Sequence, residues 1–243
     1  KGRKNWAYKL ARMAEQGAQD MAYFKLTAYD AVEGGELDLA EIEDAQRMLP
    51  AEVFAELYLA EPSDDGGNPF GIAAIARVIA PLSSRPVLYW GWDLAKSYDW
   101  TVGVGLDDRG HVAQFERWQG TWESTTAKIR YITAGAPAMV DSTGVGDPVL
   151  EALQKDGGSN FEGFKFTATS KQQLMEGAVL AVQQELTRIP DGVLRSELET
   201  FEYEYTRTGV RYAAPAGLHD DCVMAFALAL RLRSQPRAQF MVA

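Results

Sequence analysis

From Pro86 onward the chain spells out strands before it alternates strands with helices. "PVLYWGWDLA" (86–95) is an apolar strand whose one charge, Asp93, stands near its end. "DWTVGVGLDDRGHVAQFERWQG" (99–120) reads as two strands joined at Asp107-Asp-Arg-Gly, a hairpin signal. A helix at about 122–134 follows, then "APAMVDSTG" (136–144), a short buried strand ending at Asp141. "GDPVLEALQK" opens a helix with Asp147 at its cap and Pro148 in its first turn. "FEGFKFTA" (161–168) is a strand, and "SKQQLMEGAVLAVQQELTRI" is a long helix beginning near Ser170. "FEYEYTRTGVRYAAP" (201–215) reads as a hairpin turning near Thr208-Gly209. A meander that gives way to strand–helix alternation implies an α/β protein, a mixed sheet covered by helices on both faces.

The front of the chain is different. Residues 4–17 read as a helix, and "LDLAEIEDAQRMLPAEVFAELYLAEP" (37–62) as two short helices broken before Pro50. "EPSDDGGNPFG" (61–71) has linker composition. The expected division is therefore a small helical segment at 1–65 and an α/β domain at 66–243. With 243 residues, 47% of them hydrophobic and 24% charged, there is material for one sizeable core plus a smaller piece. The chain opens on Lys1-Gly-Arg-Lys, with no Met and no secretory apolar core, and no apolar run is long enough for a bilayer. An excised intracellular piece without a membrane partner is expected. The single Cys222 excludes an internal disulfide and a cysteine-based metal cage.

The net charge of −10 argues against a protein that coats DNA generally. It is uneven, however: basic over residues 1–12, strongly acidic over 30–65, and nearly balanced from Gly66 onward. Acids gathered around metal ions would leave the remaining surface locally basic.

The last segment, "AGLHDDCVMAFALALRLR" (216–233), sets two aspartates at the head of a run with no further charge until Arg231. One Asp caps a helix well and suits the positive end of its dipole. Adjacent residues point about 100° apart, so Asp220 and Asp221 do not share that role. Either one is merely solvated, or one faces a site that wants negative charge. In open α/β sheets ligands collect beyond strand ends and near helix N-termini. Asp93, Asp141, Asp220 and Asp221 occupy such places, and hard oxygen ligands suit Mg²⁺ or Mn²⁺, two of which can stabilise both oxygens of a phosphodiester displacement. His219 is either an alternative metal ligand, or a group behind the ligands, or a hydrogen bonder in the cap region; His111 belongs beside the meander turn. No Ser-His-Asp arrangement competes with the carboxylates.

At these residues the chain resembles a family. "GWDLAKSYDWTVGVG", "MVDSTGVGDPVLEAL", "TSKQQLMEGAVLAVQQ" and "GLHDDCVMAFALAL", in that order, resemble the RNase H-like nuclease domain of tailed-phage large terminase subunits over about residues 66–233. The front also fits: "KGRKNWAYKLARMAEQG" resembles the stretch after the ATPase coupling motif, and "LPAEVFAELYLAEP" the end of the ATPase domain. A phosphate-binding Gly-x-x-x-x-Gly-Lys-Ser/Thr loop is missing, so no ATP hydrolysis is expected from this piece.

The resemblance implies a protein that packages concatemeric double-stranded DNA into a procapsid in the host cytoplasm, cutting it at initiation and termination. It implies a motor oligomer with the portal protein and the small terminase subunit as partners. It makes Asp93 and Asp141 the first and second metal-binding acids and gives the third to Asp220 or Asp221, leaving open which. Two divalent ions would be bridged there, and an activated water would attack phosphorus to leave a 3′-hydroxyl and a 5′-phosphate. Lys96, Lys165 and Lys171 are candidate phosphate contacts or solvated side chains. Arg207 and Arg211 flank the expected hairpin tip and are candidates for a DNA-contacting element. Gly144-Val-Gly146 is a turn or a phosphate approach. Trp90, Trp92, Trp100, Trp118 and Trp122 are core packing or, less simply, base-stacking surfaces. Two other readings stand beside the packaging nuclease: a RuvC-like resolvase or recombinase, against which the ATPase-like front argues, and a non-catalytic module docking on the portal.

Overall fold

The computed structural model describes residues 10–11, 13–14, 21–61, 67–94, 100–144, 146–155, 158, 160–206, 209–215 and 219–235. Helix α1 spans Ala28–Glu33, α2 Leu39–Met48, α3 Ala51–Tyr58 and α4 Ile72–Val78. Then come β1 Tyr89–Asp93, β2 Thr101–Leu106, β3 Val112–Trp118, α5 Trp122–Thr133, β4 Ala138–Asp141, α6 Gly146–Gln154 and β5 Phe161–Phe164. The chain continues through α7 Ala168–Gln183, α8 Val193–Thr200, β6 Glu202–Thr206, β7 Gly209–Ala213 and α9 Asp221–Ser234.

Five strands form one sheet in the order β3-β2-β1-β4-β5. β1 pairs antiparallel with β2, and β2 with β3, as the hairpin signal requires. β4 joins the other side of β1 in parallel, and β5 extends it in parallel. This is the mixed sheet expected from the element order. At the β2–β3 turn Asp107 organises the backbone, its Oδ1 accepting from the amides of Arg109 (2.8 Å) and His111 (2.9 Å). Gly110 completes the turn at φ +86°, a left-handed conformation that glycine adopts without strain.

Alternation along the strands divides the core in two. Trp90, Trp92, Ala138 and Val140 face α5 and α6, packing with Ile129, Val149 and Leu153. Val102, Val104, Leu106 and Met139 face the other way, against α4, α7, α8 and α9. Trp90, Trp92 and Trp118 are core packing: Trp90 stacks on Trp92 at 4.9 Å between centroids, and Trp118 meets Trp92 edge-on at 5.6 Å, whereas Trp122 is exposed. Their polar edges are satisfied, Trp92 Nε1 donating to the Thr133 hydroxyl and Trp118 Nε1 to that of Thr125.

Helix α9 is buried all round, from Cys222 through Leu230. A helix apolar on every side needs a partner on every side. The sheet, α7 and α8 provide them. Its approach to β1 depends on Gly91, where an added Cβ would lie 2.0 Å from the Ala225 carbonyl oxygen.

Helices α2 and α3 form as expected on either side of Pro50, around a small core of Ile42, Ala45 and Phe54. Side chains link them onward: Gln183 Oε1 accepts from the Ala51 amide at 3.0 Å, and the Tyr203 hydroxyl donates to Glu56 at 3.1 Å. Of the expected helix at 4–17, residues 10, 11, 13 and 14 are helical and the rest lie outside the described residues. Part of the expected linker, 62–66, and the turn at 207–208 also lie outside them. Three elements appear where none was expected: α1, α4 and α8. Several boundaries shift. The strand expected over 161–168 ends at Phe164, and the long helix expected to run to Ile189 ends at Gln183, with Glu185 left-handed at φ +57°. α6 begins at Gly146, so Asp147 sits within its first turn, pairing with Lys165 at 3.0 Å, rather than before it. α7 begins at Ala168, with Thr167 as cap and Ser170 closing a capping box. Among the described residues no helix is long and apolar enough to cross a membrane.

Candidate metal centre

Asp93 and Asp141 are the last residues of adjacent parallel strands. Trp92 pairs with Val140, so the next residue of each strand is one of these two aspartates. Both lie on the sheet face opposite the tryptophans, the face that α9 covers. The turn after Asp141 is tied down. Asp141 Oδ1 accepts from the Thr143 amide at 2.8 Å, the Ser142 amide donates to the Phe164 carbonyl, and the Phe166 amide to the Thr143 hydroxyl. The head of α9 arrives at the same end of the sheet. There Asp220 Oδ2 accepts from Lys171 Nζ at 3.1 Å, and His219 Nδ1 lies 3.6 Å from Asp221 Oδ2.

The electrostatics report one cluster. Asp93 is buried, and its carboxyl is pushed well above the usual carboxylate range by that burial first. Asp141, Asp221 and Asp220 push in the same direction, and Lys171 pulls the other way. Four carboxylates therefore act on a common space. Among the described residues, however, no three acidic, histidine or cysteine side chains form a closed metal cage. The two observations agree physically: like charges hold apart, and Asp220 and Asp141 are each engaged by another donor. The donor set itself is all carboxylate oxygen, which fits a hard divalent ion.

The doubled aspartate is not spent on capping. Asp220 occupies the cap position of α9, yet its side chain makes no capping bond. A buried glutamate that the sequence reading passed over fills that role: Glu197 Oε2, from α8, accepts from the amides of Cys222 at 2.8 Å and Val223 at 3.4 Å.

The basic candidates separate. Lys171 points into the cluster, Lys165 is exposed and paired with Asp147, and Arg211 is exposed on β7. Lys96 and Arg207 lie outside the described residues. The β6–β7 hairpin is fastened beside the cluster, since Gln172, next to Lys171, accepts from the Val210 amide at 3.1 Å.

No protein-family profile and no curated protein matches the chain. Solved structures do. The large terminase nuclease from thermophilic phage G20c, with bound magnesium, is 27% identical at a TM-score of 0.60, covering 70% of this chain and 98% of that one. The large terminase nuclease domain of Thermus phage P74-26 is 25% identical at 0.55, covering 65% and 92%. The large terminase of the HK97 bacteriophage is 13% identical at 0.54, a likeness of fold that covers 91% of this chain and 59% of that one. A mixed five-stranded sheet flanked by helices is thus the terminase nuclease fold. The chain is similar to phage large terminase nuclease domains and carries that fold.

Proposed function

We propose that the chain is a divalent-metal-dependent DNA endonuclease of a viral genome-packaging terminase, acting on concatemeric double-stranded DNA. The observation that carries this reading is the meeting of Asp93, Asp141, Asp220 and Asp221 at one end of the sheet, with the cap of α9 supplied from another helix. The magnesium in the G20c nuclease supports the choice of ion.

Asp93 and Asp141, on neighbouring strand ends, would hold the divalent metal together with Asp220 or Asp221. Mg²⁺ or Mn²⁺ held there supplies positive charge to the phosphodiester and lowers the pKa of water. Lys171 exchanges Asp220 for the approaching phosphate. Lys165 and Arg211, both exposed, contact the DNA backbone and fix its register without reading sequence. Within this reading residues 66–243 are the nuclease domain and 1–65 the end of an ATPase domain. The portal protein, the small terminase subunit and further copies of the chain are its partners in the host cytoplasm.

Cleavage of supercoiled plasmid with Mg²⁺, Mn²⁺ or EDTA tests the reading. Cutting is expected with either metal, none in EDTA, and none by Asp93→Ala or Asp221→Ala. Undiminished cutting by folded Asp93→Ala would sink it. A four-way junction cut far faster than linear duplex would favour a resolvase instead.

A further inference from the structure

We infer that Glu197 is the positioning residue of the carboxylate cluster: it supplies the capping acceptor of α9, so that Asp220, which stands at the cap position, turns its carboxylate into the cluster instead. The inference rests on the metal-site reading above and adds a residue to it.

The first amides of a helix have no partner within it and take the nearest acceptor. A short Ser, Thr, Asp or Asn side chain at the cap position is the usual source. Where a residue of that kind stands at the cap of another helix of this chain, it does so. Thr27, Asp38, Thr121 and Thr167 each cap their helices through the side chain, and each has an extended backbone. Asp220 departs on both counts, with φ −123° and ψ 10° and no capping bond. Its carboxylate turns instead to Lys171. The vacated amides of Cys222 and Val223 are held by Glu197, which reaches them across the interface between α8 and α9 and is 7% exposed.

This arrangement has a cost that a mere cap would avoid. Burial pushes the Glu197 carboxyl up, and Asp221 pushes it further, while the Cys222 and Val223 amides offset part of the rise. A further buried carboxylate beside Asp221 is electrostatically unfavourable. Its return is geometric. Without Glu197 the acceptor that the cap position offers these amides is Asp220, and an Asp220 drawn back onto its own helix would leave the cluster.

Two measurements on the full chain decide it: amide hydrogen exchange at Cys222 and Val223, and Mg²⁺ titration by calorimetry. Glu197→Ala is expected to speed exchange at both amides and to weaken Mg²⁺ binding by about tenfold or more, the scale on which partners of metal ligands act. Glu197→Gln keeps a carbonyl oxygen for the amides and is expected to stay close to wild type in both. Should Glu197→Ala fail to fold, Glu197→Asp withdraws the acceptor by one methylene and gives the same comparison. Unchanged exchange in Glu197→Ala overturns the cap. Wild-type Mg²⁺ affinity in that variant overturns the positioning role. Absence of Mg²⁺ binding by the wild-type chain overturns the metal-site reading itself, and exchange still reports on the cap.

Discussion

Replacing Gly91 by alanine would set a methyl carbon 2.0 Å from the Ala225 carbonyl oxygen and 2.4 Å from the Ala229 amide nitrogen. Both atoms belong to the backbone of α9, so no change of rotamer relieves the clash. Real Cβ atoms do not approach closer than 3.0 Å, so helix and strand must part by at least 1.0 Å, the difference between 3.0 and 2.0 Å. Overpacking of this kind costs about 1–3 kcal/mol. For urea unfolding with a slope near 3 kcal/mol/M, a 2 kcal/mol loss lowers the midpoint by about 0.7 M.

The functional effect should exceed the stability effect. Asp220 and Asp221 ride on α9, whereas Asp93 ends the strand from which α9 retreats. A misplacement of about 1 Å at reacting groups costs about a hundredfold in rate. Initial rates of Mg²⁺-dependent plasmid cleavage, measured well below the urea midpoint of the variant, should fall by that order while the protein stays folded. Wild-type stability together with wild-type rate in Gly91→Ala would refute the close seating of α9 on β1, and with it the account of how the two pairs of aspartates meet.

Gly177→Ala should act in the opposite sense, raising stability by about 0.5–1 kcal/mol, because Gly177 lies exposed within α7 with nothing within 4 Å of an added Cβ; a lower urea midpoint would contradict it. Asp93 holds its proton to higher pH in the folded than in the unfolded state, so the metal-free protein should lose stability as pH rises from about 3.8, the ordinary Asp value, through the folded value, and then level off. Asp93→Asn should remove that decline, and parallel pH series of urea midpoints in EDTA for the two proteins would count against it. Lys171→Met should bind Mg²⁺ several-fold more tightly, because no ammonium then competes for Asp220; weaker binding by calorimetry would show that Lys171 supports the ion rather than displacing it.

The strands were legible because their signals are local. A hairpin turn at Asp107-Asp-Arg-Gly, apolar runs at 89–93 and 138–141, and the Pro50 break each declare themselves within a few residues. The missed helices give weaker signals. α8 follows Gly192 at φ +119° without a side-chain cap, spans eight residues, and buries only Leu194, Glu197 and Leu198. α1 does carry a Thr-x-x-Asp start, with Thr27 and Asp30 closing a capping box, but buries no residue at all, so no apolar stripe announces it. Asp147 misled as a cap because Asp before Pro is a common helix start; here the helix begins at Gly146, two residues sooner than such a cap implies, and the carboxylate finds Lys165.

The site divides along the same line. Asp93 and Asp141 could be placed from sequence because strand register decides them: alternation that buries Trp90 and Trp92 on one face must send Gly91 and Asp93 to the other. A slip of one residue would bury Asp93 among the tryptophans and lift α9 off the strand, so the fold and the cluster stand or fall together. Glu197 had no such signal. It looks like one more acid in "SELET", and its partners are amides 25 and 26 residues further along the chain. The question posed by the doubled aspartate therefore had its answer on a different helix: Asp220 stands at the cap position without making the capping bond, because a longer acid from α8 holds the amides.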